Sequence, residues 1–158
     1  MEPKKLPRMS EQEIDELIEE QMLCRIAFQG KKAPYIAPFQ YAWVNRQLYF
    51  HFTKYGKKIG FLEEGNLVCV EIEKYTKDLK EYKFVTLTGE LKTVTEPRER
   101  ARAIKKLVET AKNRGLSENF LAAHGFAKEN GWDSLTPEKP ITVIKLENII
   151  ERSGLKSP

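Results

Sequence analysis

The chain predicts a mainly β fold with flanking helices, and three observations carry that reading. Apolar residues recur with a period of two in runs near Cys24–Phe28, 35–44, Leu48–Phe52, Leu67–Ile72, Phe84–Val94 and Ile141–Leu146. Short polar turns join several of these runs, which favours antiparallel neighbours. Only two long stretches carry helical spacing. With six or so strands, closing the sheet into a barrel is the economical way to remove its edges, and a small barrel fills its own interior with side chains.

The elements follow in order. Residues 1–9 form a short basic stretch expected to be a flexible tail, and residues 10–158 a single domain. Ser10 and Glu13 have the spacing of a capping box, which opens a helix presenting Ile14, Leu17, Ile18 and Met22 on one face. A first strand, Cys24–Phe28, turns at Gln29-Gly30-Lys31-Lys32 into the stretch that organises the rest. There Tyr35, Ala37, Phe39, Tyr41 and Trp43 alternate with Ile36, Pro38, Gln40, Ala42 and Val44. Both faces are largely apolar, so both are expected to be covered. Asn45-Arg46-Gln47 is a turn, because Asn takes a left-handed conformation cheaply, and Leu48–Phe52 returns antiparallel.

Beyond the central strand Leu67–Ile72 lies a long strand, Phe84–Val94, with Gly89 marking a bulge or a close backbone approach. Thr95-Glu96-Pro97 starts the second helix, with a capping hydroxyl and a proline in its first turn. Its buried stripe is Ala101, Ile104, Leu107, Val108 and Ala111. Residues 116–140 are aromatic but without regular period, which suits either a packed connector or a segment over a pocket mouth. Ile141–Leu146 closes the sheet, and residues 149–154 form a C-terminal strand ending in glycine.

Composition narrows the function. The chain has 158 residues, enough to bury about 68–70% of its unfolded surface without staples. Its net charge is +4, from 27 basic and 23 acidic residues that alternate, so a nucleic-acid stripe is not expected. Cys24 and Cys69 sit inside apolar runs and read as reduced, buried thiols. With His51 and His124 the only histidines, no metal site is expected. No apolar leader or membrane-length run is present, so the expectation is a cytoplasmic protein without membrane contact.

The strongest chemical signal is Tyr55-Gly56-Lys57-Lys58 at the start of a short amphipathic segment closed by Gly65. Cations at a helix N-terminus, where free N–H groups already favour negative charge, make an anion site suited to phosphate. Taken alone, the same residues also read as a solvated lysine pair. Arg25, on the first strand, is either a further phosphate contact or, more in keeping with its position, a surface arginine.

A resemblance adds to this. Pro34, Tyr35 and Pro38, then Leu48-Tyr49-Phe50-His51, then Gly56-Lys57-Lys58-Ile59, then Val68-Cys69-Val70 occur in an order similar to the FMN-binding split-barrel family. The branch resembled is the pyridoxamine 5'-phosphate oxidase-like one that includes nitroimidazole-reductase-like proteins. The resemblance implies an FMN-binding split β-barrel, a homodimer with flavin at the subunit interface, and FMN as cofactor. It implies that Lys57 and Lys58 hold the FMN phosphate and that Pro38, Phe39, Gln40 and Tyr41 run under the isoalloxazine ring, offering backbone groups. It places His51, the candidate catalytic residue, and the following Phe52 close to the flavin. His51 reads equally as a satisfied strand histidine. Tyr35, Tyr41, Trp43, Tyr49 and Trp132 suit a dimer interface or the monomer core.

Two departures matter. Phe52 stands where much of the branch has a small residue, and the chain ends Gly154-Leu155-Lys156-Ser157-Pro158, without the Arg-Leu ending of true pyridoxamine phosphate oxidases. The expected function is therefore an FMN-dependent reductase passing electrons from a small-molecule donor to a small acceptor. The alternatives are a non-catalytic flavin, deazaflavin or haem binder on the same fold, with His51 or His124 as a haem ligand, and a basic RNA-interaction module.

Overall fold

The computed structural model describes residues 1–53, 60, 62 and 67–158. Among these, six strands close into an antiparallel barrel. They are β1 (Leu23–Phe28), β2 (Tyr35–Val44), β3 (Gln47–Phe52), β4 (Leu67–Tyr75), β5 (Tyr82–Thr93) and β6 (Thr142–Lys156), arranged β1-β2-β3-β6-β5-β4 with β4 returning to β1. The predicted barrel is thus the observed one.

Alternation decides what fills it. Ile26 and Phe28, Phe39 and Tyr41, Phe50 and Phe52, Val68 and Val70, Val85 and Leu87, and Ile144 and Leu146 belong to one buried cluster. Each large side chain so buried contributes about 1.5–3 kcal/mol relative to exposure. Helix α1 (Glu11–Glu20) starts at the predicted capping box, with Ser10 and Glu13 bonded reciprocally, and seats Ile14, Leu17 and Ile18 on the same cluster. The Tyr41 hydroxyl donates to the Ile18 carbonyl at 2.7 Å, fixing that seat. Within residues 1–9, Met9 is buried, its N–H donates to Gly154 O at 2.9 Å, and Lys156 N–H donates to Pro7 O at 3.1 Å.

The hairpin turn is tighter than the sequence suggests. Asn45 and Arg46 alone form it, both at positive φ (51° and 60°), and Gln47 already belongs to β3. The bulge at Gly89 is present, as a register shift between Thr88 and Glu90 against β6. The closing strand and the C-terminal strand are one element; β6 runs unbroken from Thr142 to Lys156, with Asn148 (φ 50°) turning the chain opposite the bulge. A polar run at Glu147-Asn148 hides that continuity from a period-two reading.

A second apolar layer lies outside the barrel. Helix α2 (Pro97–Asn113) buries Ala103, Ile104, Leu107 and Ala111 against Ala42 of β2, Tyr49 of β3 and Val143 of β6. Its N-cap is not the Thr95 hydroxyl. With Pro97 at the first helical position, Glu96 occupies the cap, and its carboxylate accepts from Arg98 N (2.9 Å) and Glu99 N (2.6 Å). Glu99 then ties α2 to the barrel, accepting from the Tyr49 hydroxyl at 2.8 Å and from Lys145 Nζ at 2.9 Å. Burial alone would raise the Glu99 carboxyl, but the Lys145 and Tyr49 hydrogen bonds outweigh it and hold it below the usual range.

Residues 116–140 complete this layer as three 3₁₀ turns, Glu118–His124, Lys128–Asn130 and Trp132–Ser134. Leu121, Trp132 and Leu135 are buried in it. Arg100 fastens the following loop by donating to the carbonyls of Pro137, Lys139 (2.8 Å) and Ile141 (2.7 Å).

Candidate functional site

The site is set by where β2 and β3 part. Their ladder runs from Val44↔Gln47 to Tyr41↔Phe50 and goes no further, although both strands continue. The Tyr41 N–H donates to Met22 O on the β1 side, so alternation points the backbone groups of Pro38 and Gln40 towards the parting. Proline lacks a donor, so Pro38 costs no ladder bond there. One step past the last pair, Gln40 and His51 emerge on the barrel's outer face, as the inward Tyr41 and Phe50 require.

The first 3₁₀ turn brings Phe120 and His124 onto this outer face. His51 Nδ1 lies 3.1 Å from His124 Nδ1, and the rings stack with centroids 5.3 Å apart and planes inclined by 18°. His124 Nε2 lies 2.8 Å from Gln40 Oε1, and the Gln40 amide donates to the Leu107 carbonyl at 3.0 Å. A hydrogen-bonded chain therefore runs from the end of β3 through the 3₁₀ turn and β2 into the middle of α2. Phe120 and Trp132 meet the His124 ring edge-on, at 5.7 Å and 5.8 Å. Burial lowers the His124 pKa to about 4, so this imidazole is neutral at neutral pH.

Beside the chain is a cavity of about 460 Å³, bordered by Leu23, Ile36, Pro38, Gln40, His51, Phe120 and His124 among others. That size falls within the roughly 300–1,000 Å³ usual for small-molecule sites, and its character is apolar walls with a few convergent polar groups. Both faces of β2 are not covered throughout. The α2 layer shields the outer face only from Gln40 onward, so Ile36 and Pro38 stay exposed at the cavity rim.

The predicted site residues separate by face. Pro38, Gln40 and His51 border the cavity. Phe39 also borders it, yet its ring packs inside, stacked on Phe52, while Tyr41 is held inside by Ile18. Phe39, Tyr41 and Phe52 thus belong to the barrel core by their side chains, and of the three it is Phe39 that also borders the cavity. Lys57 and Lys58 lie outside the described residues, as does the helix expected to follow them except for Gly60 and Leu62, the latter packing against the barrel cluster. Arg25 is taken up by carboxylates, 2.5 Å from Glu73 and 3.3 Å from Glu71. Of the aromatics left open between interface and core, Tyr41, Tyr49 and Trp132 are buried within the chain. Among the described residues no cluster of histidine, cysteine and carboxylate side chains has the makings of a metal site.

The sequence reading missed the role of His124 and Phe120. The available signal was the density of aromatic and histidine residues over positions 120–132 in a stretch with no helical or strand period.

The sequence profile of the family described as pyridoxamine 5'-phosphate oxidase matches residues 10–135, most of the chain. The chain belongs to the pyridoxamine 5'-phosphate oxidase family. The barrel is the family's split-barrel fold, and solved structures agree. A FAD-binding protein from Mesorhizobium loti is 18% identical, with a TM-score of 0.69 over 97% of this chain and 99% of its own. A proposed 5-nitroimidazole antibiotic resistance protein from Bacteroides thetaiotaomicron is 16% identical, with a TM-score of 0.65 over 99% of this chain and 94% of its own. A FAD and haem binding protein from Mycobacterium smegmatis is 16% identical, with a TM-score of 0.61 over 94% of this chain and 71% of its own. No curated protein matches the chain. Among the described residues of this family member, no helix is long and apolar enough to cross a membrane.

Proposed function

We propose that this member of the pyridoxamine 5'-phosphate oxidase family binds FMN beside His51 and acts as a homodimeric flavin-dependent reductase on a small electron-poor acceptor in the cytoplasm. The carrying observation is the cavity of about 460 Å³ at the β2–β3 parting, with apolar walls from Leu23, Ile36 and Phe120 and polar groups from Gln40 and His51. Such walls suit the flat, largely apolar ring system of a flavin, and relatives of this fold are described as binding FAD. The phosphate falls to Lys57 and Lys58, five and six positions beyond Phe52, the last residue of β3. When bound, a flavin supplies hydride and electron transfer. The chain's part is to orient the ring and to hold or move a proton at His51.

The dimer is supported by what the monomer leaves uncovered. Ile36 is 62% exposed and Leu23 46%, both at the cavity rim, where a second copy would shield them together with a bound ring. Haem held by His124 has less support, because both of its nitrogens are already engaged, with His51 and Gln40. RNA binding is weakened by the pairing of lysines with acids, as in Lys74–Glu20, Lys112–Asp133 and Lys156–Glu13.

The test is the absorption spectrum of purified protein, before and after FMN is added, for the wild type and a Lys57→Ala, Lys58→Ala double variant. Oxidised-flavin bands that appear in the wild type and are lost in a folded double variant are expected. A wild type that stays colourless with excess FMN overturns the reading. Solution mass should give a dimer, and a monomer that still binds FMN would remove the shared-site arrangement.

A further inference from the structure

Three lysines stand in one row across the sheet. Lys74 of β4 is opposite Lys83 of β5, and Lys83 is opposite Lys156 of β6. Two residues inward on the same strands, Ile72, Val85 and Gly154 are paired in the same way and buried. Side chains alternate along a strand, so the lysines continue the barrel's inner face just past its last apolar layer. Neighbouring strands lie about 5 Å apart, and like charges placed directly opposite one another cost stability unless something opposes them.

Helix α1 opposes only the outer two. Its Glu20 pairs with Lys74, and its Glu13 with Lys156 at 2.7 Å. Between these two carboxylates on α1, Glu16 instead accepts from the Gln12 amide at 3.0 Å, and Leu17 is buried in the core. Lys83 is left half-buried, with no carboxylate within ion-pair distance among the described residues. With three lysines against two glutamates, the row keeps a positive charge at its centre. A cavity of about 210 Å³ opens here, bordered by the three lysines with Thr76, Glu81 and Ser157 among others. The Ser157 oxygen accepts from the Tyr82 N–H at 3.3 Å, which leaves its hydroxyl hydrogen available to donate. Glu81 is exposed to solvent, and the Thr76 hydroxyl donates to Asp78 at 2.9 Å.

We infer that Lys83, flanked by Lys74 and Lys156, is the centre of a binding site for a single phosphate group. The cavity is smaller than the roughly 300 Å³ at which sites for whole small molecules begin, and lysine ammonium groups are point charges suited to phosphate oxygens. Each flanking lysine has N–H groups to spare beyond the one turned to its glutamate, so all three ammonium groups can converge on one anion. The site is apart from the proposed flavin cavity. Ile36 at that cavity's rim is opposite Ala27, and Ala27 is opposite Cys69 on the outer face of β4. Lys74 lies five residues further along β4, on the other face.

The test uses the full chain labelled with ¹⁵N, in chloride buffer at constant ionic strength, titrated with inorganic phosphate or with methyl phosphate, each with and without saturating FMN. Saturable shifts are expected at the amides of residues 74–76, 81–83 and 156–157, unchanged by FMN. Lys83→Gln should weaken binding there about tenfold or more, as loss of a charged hydrogen-bond donor does. Methyl phosphate bound as well as phosphate assigns the site to the end group of a phosphate ester, and a strong preference for phosphate assigns it to the free ion. Melting curves test the other half of the argument. Because Lys83 stands between like charges, Lys83→Gln should melt at or above the wild type without phosphate, and lose that advantage as phosphate is added. Shifts at these amides that do not saturate, a Lys83→Gln variant that binds phosphate as well as the wild type, or one that melts below it in phosphate-free buffer overturns the inference. Failure of FMN to bind leaves it standing, so the two readings fail separately.

Discussion

Phe39 and Phe52 stack inside the barrel with ring centroids 4.9 Å apart and planes inclined by 24°, directly behind the point where Gln40 and His51 project outward. Core packing on one side of the wall and site chemistry on the other are thus adjacent residues of the same two strands. The relative position of Gln40 and His51 is held by the stack, since the strands have already parted there.

Phe52→Ala should therefore cost about 3–5 kcal/mol of stability, as truncation of a buried aromatic does. Urea denaturation measures it, and Phe52→Leu should recover most of the loss. A Phe52→Ala protein as stable as the wild type would place that ring outside the core.

Stability should also depend on pH through His124. Its folded pKa, about 4, is below the ordinary value of 6.5, so the unfolded chain binds the proton more readily. The contribution is fully present above about pH 6.5, and it falls away as the pH drops towards 4, by on the order of 3 kcal/mol. Carboxylates titrate in part of the same window, so the measurement is the difference between wild type and His124→Phe. The wild type should lose more stability between pH 6.5 and 4; parallel curves would show that His124 does not carry the effect.

Two glycines should differ in how they tolerate a methyl group. A Cβ on Gly89 would lie 2.8 Å from the backbone oxygen of Glu147, which cannot step aside without breaking the β5–β6 bulge. A Cβ on Gly154 would lie 2.8 Å from Ile14 Cγ1 and 2.9 Å from Met9 Sδ, both movable side-chain atoms. Both changes overpack, at about 1–3 kcal/mol, and Gly89→Ala should be the costlier. Thermal melts of the two variants rank them, and the reverse order would contradict the backbone clash.

The two thiols should react at different rates. Cys24 is buried in the barrel, and burial pushes its thiol well up, whereas Cys69 is partly exposed on the outer face of β4. An aromatic disulfide reagent should label one thiol per folded chain, Cys69, and reach the second only on unfolding. Labelling of the folded Cys69→Ser variant would refute the assignment.

The barrel was legible because its information is local. Period-two runs, a turn at Asn45-Arg46-Gln47, the Ser10–Glu13 box and Gly89 each act over a few residues, and the structure uses every one of them, with the turn shortened to Asn45-Arg46. Pro38, Gln40 and His51, named through the resemblance, lie on strands that the pattern defines and border the cavity. What stayed hidden is non-local. Arg100 reaches carbonyls of Pro137, Lys139 and Ile141, and His124 meets Gln40 across 84 positions of sequence. No periodicity announces a 3₁₀ turn whose place is set by packing on α2. The Glu96 cap was misread for a simpler reason: threonine is the commoner cap, but Pro97 fixes the frame one residue later.

Because the shell of α2 and the 3₁₀ turns packs on the outer face of the barrel through an apolar cluster apart from the barrel interior, the shell is expected to open while the barrel stays closed. His51 belongs to the barrel and His124 to the shell, so the cavity lies along the seam between them. Whatever fills that seam fastens shell to barrel, and amides of residues 118–135 would then exchange with solvent only as slowly as the barrel itself unfolds.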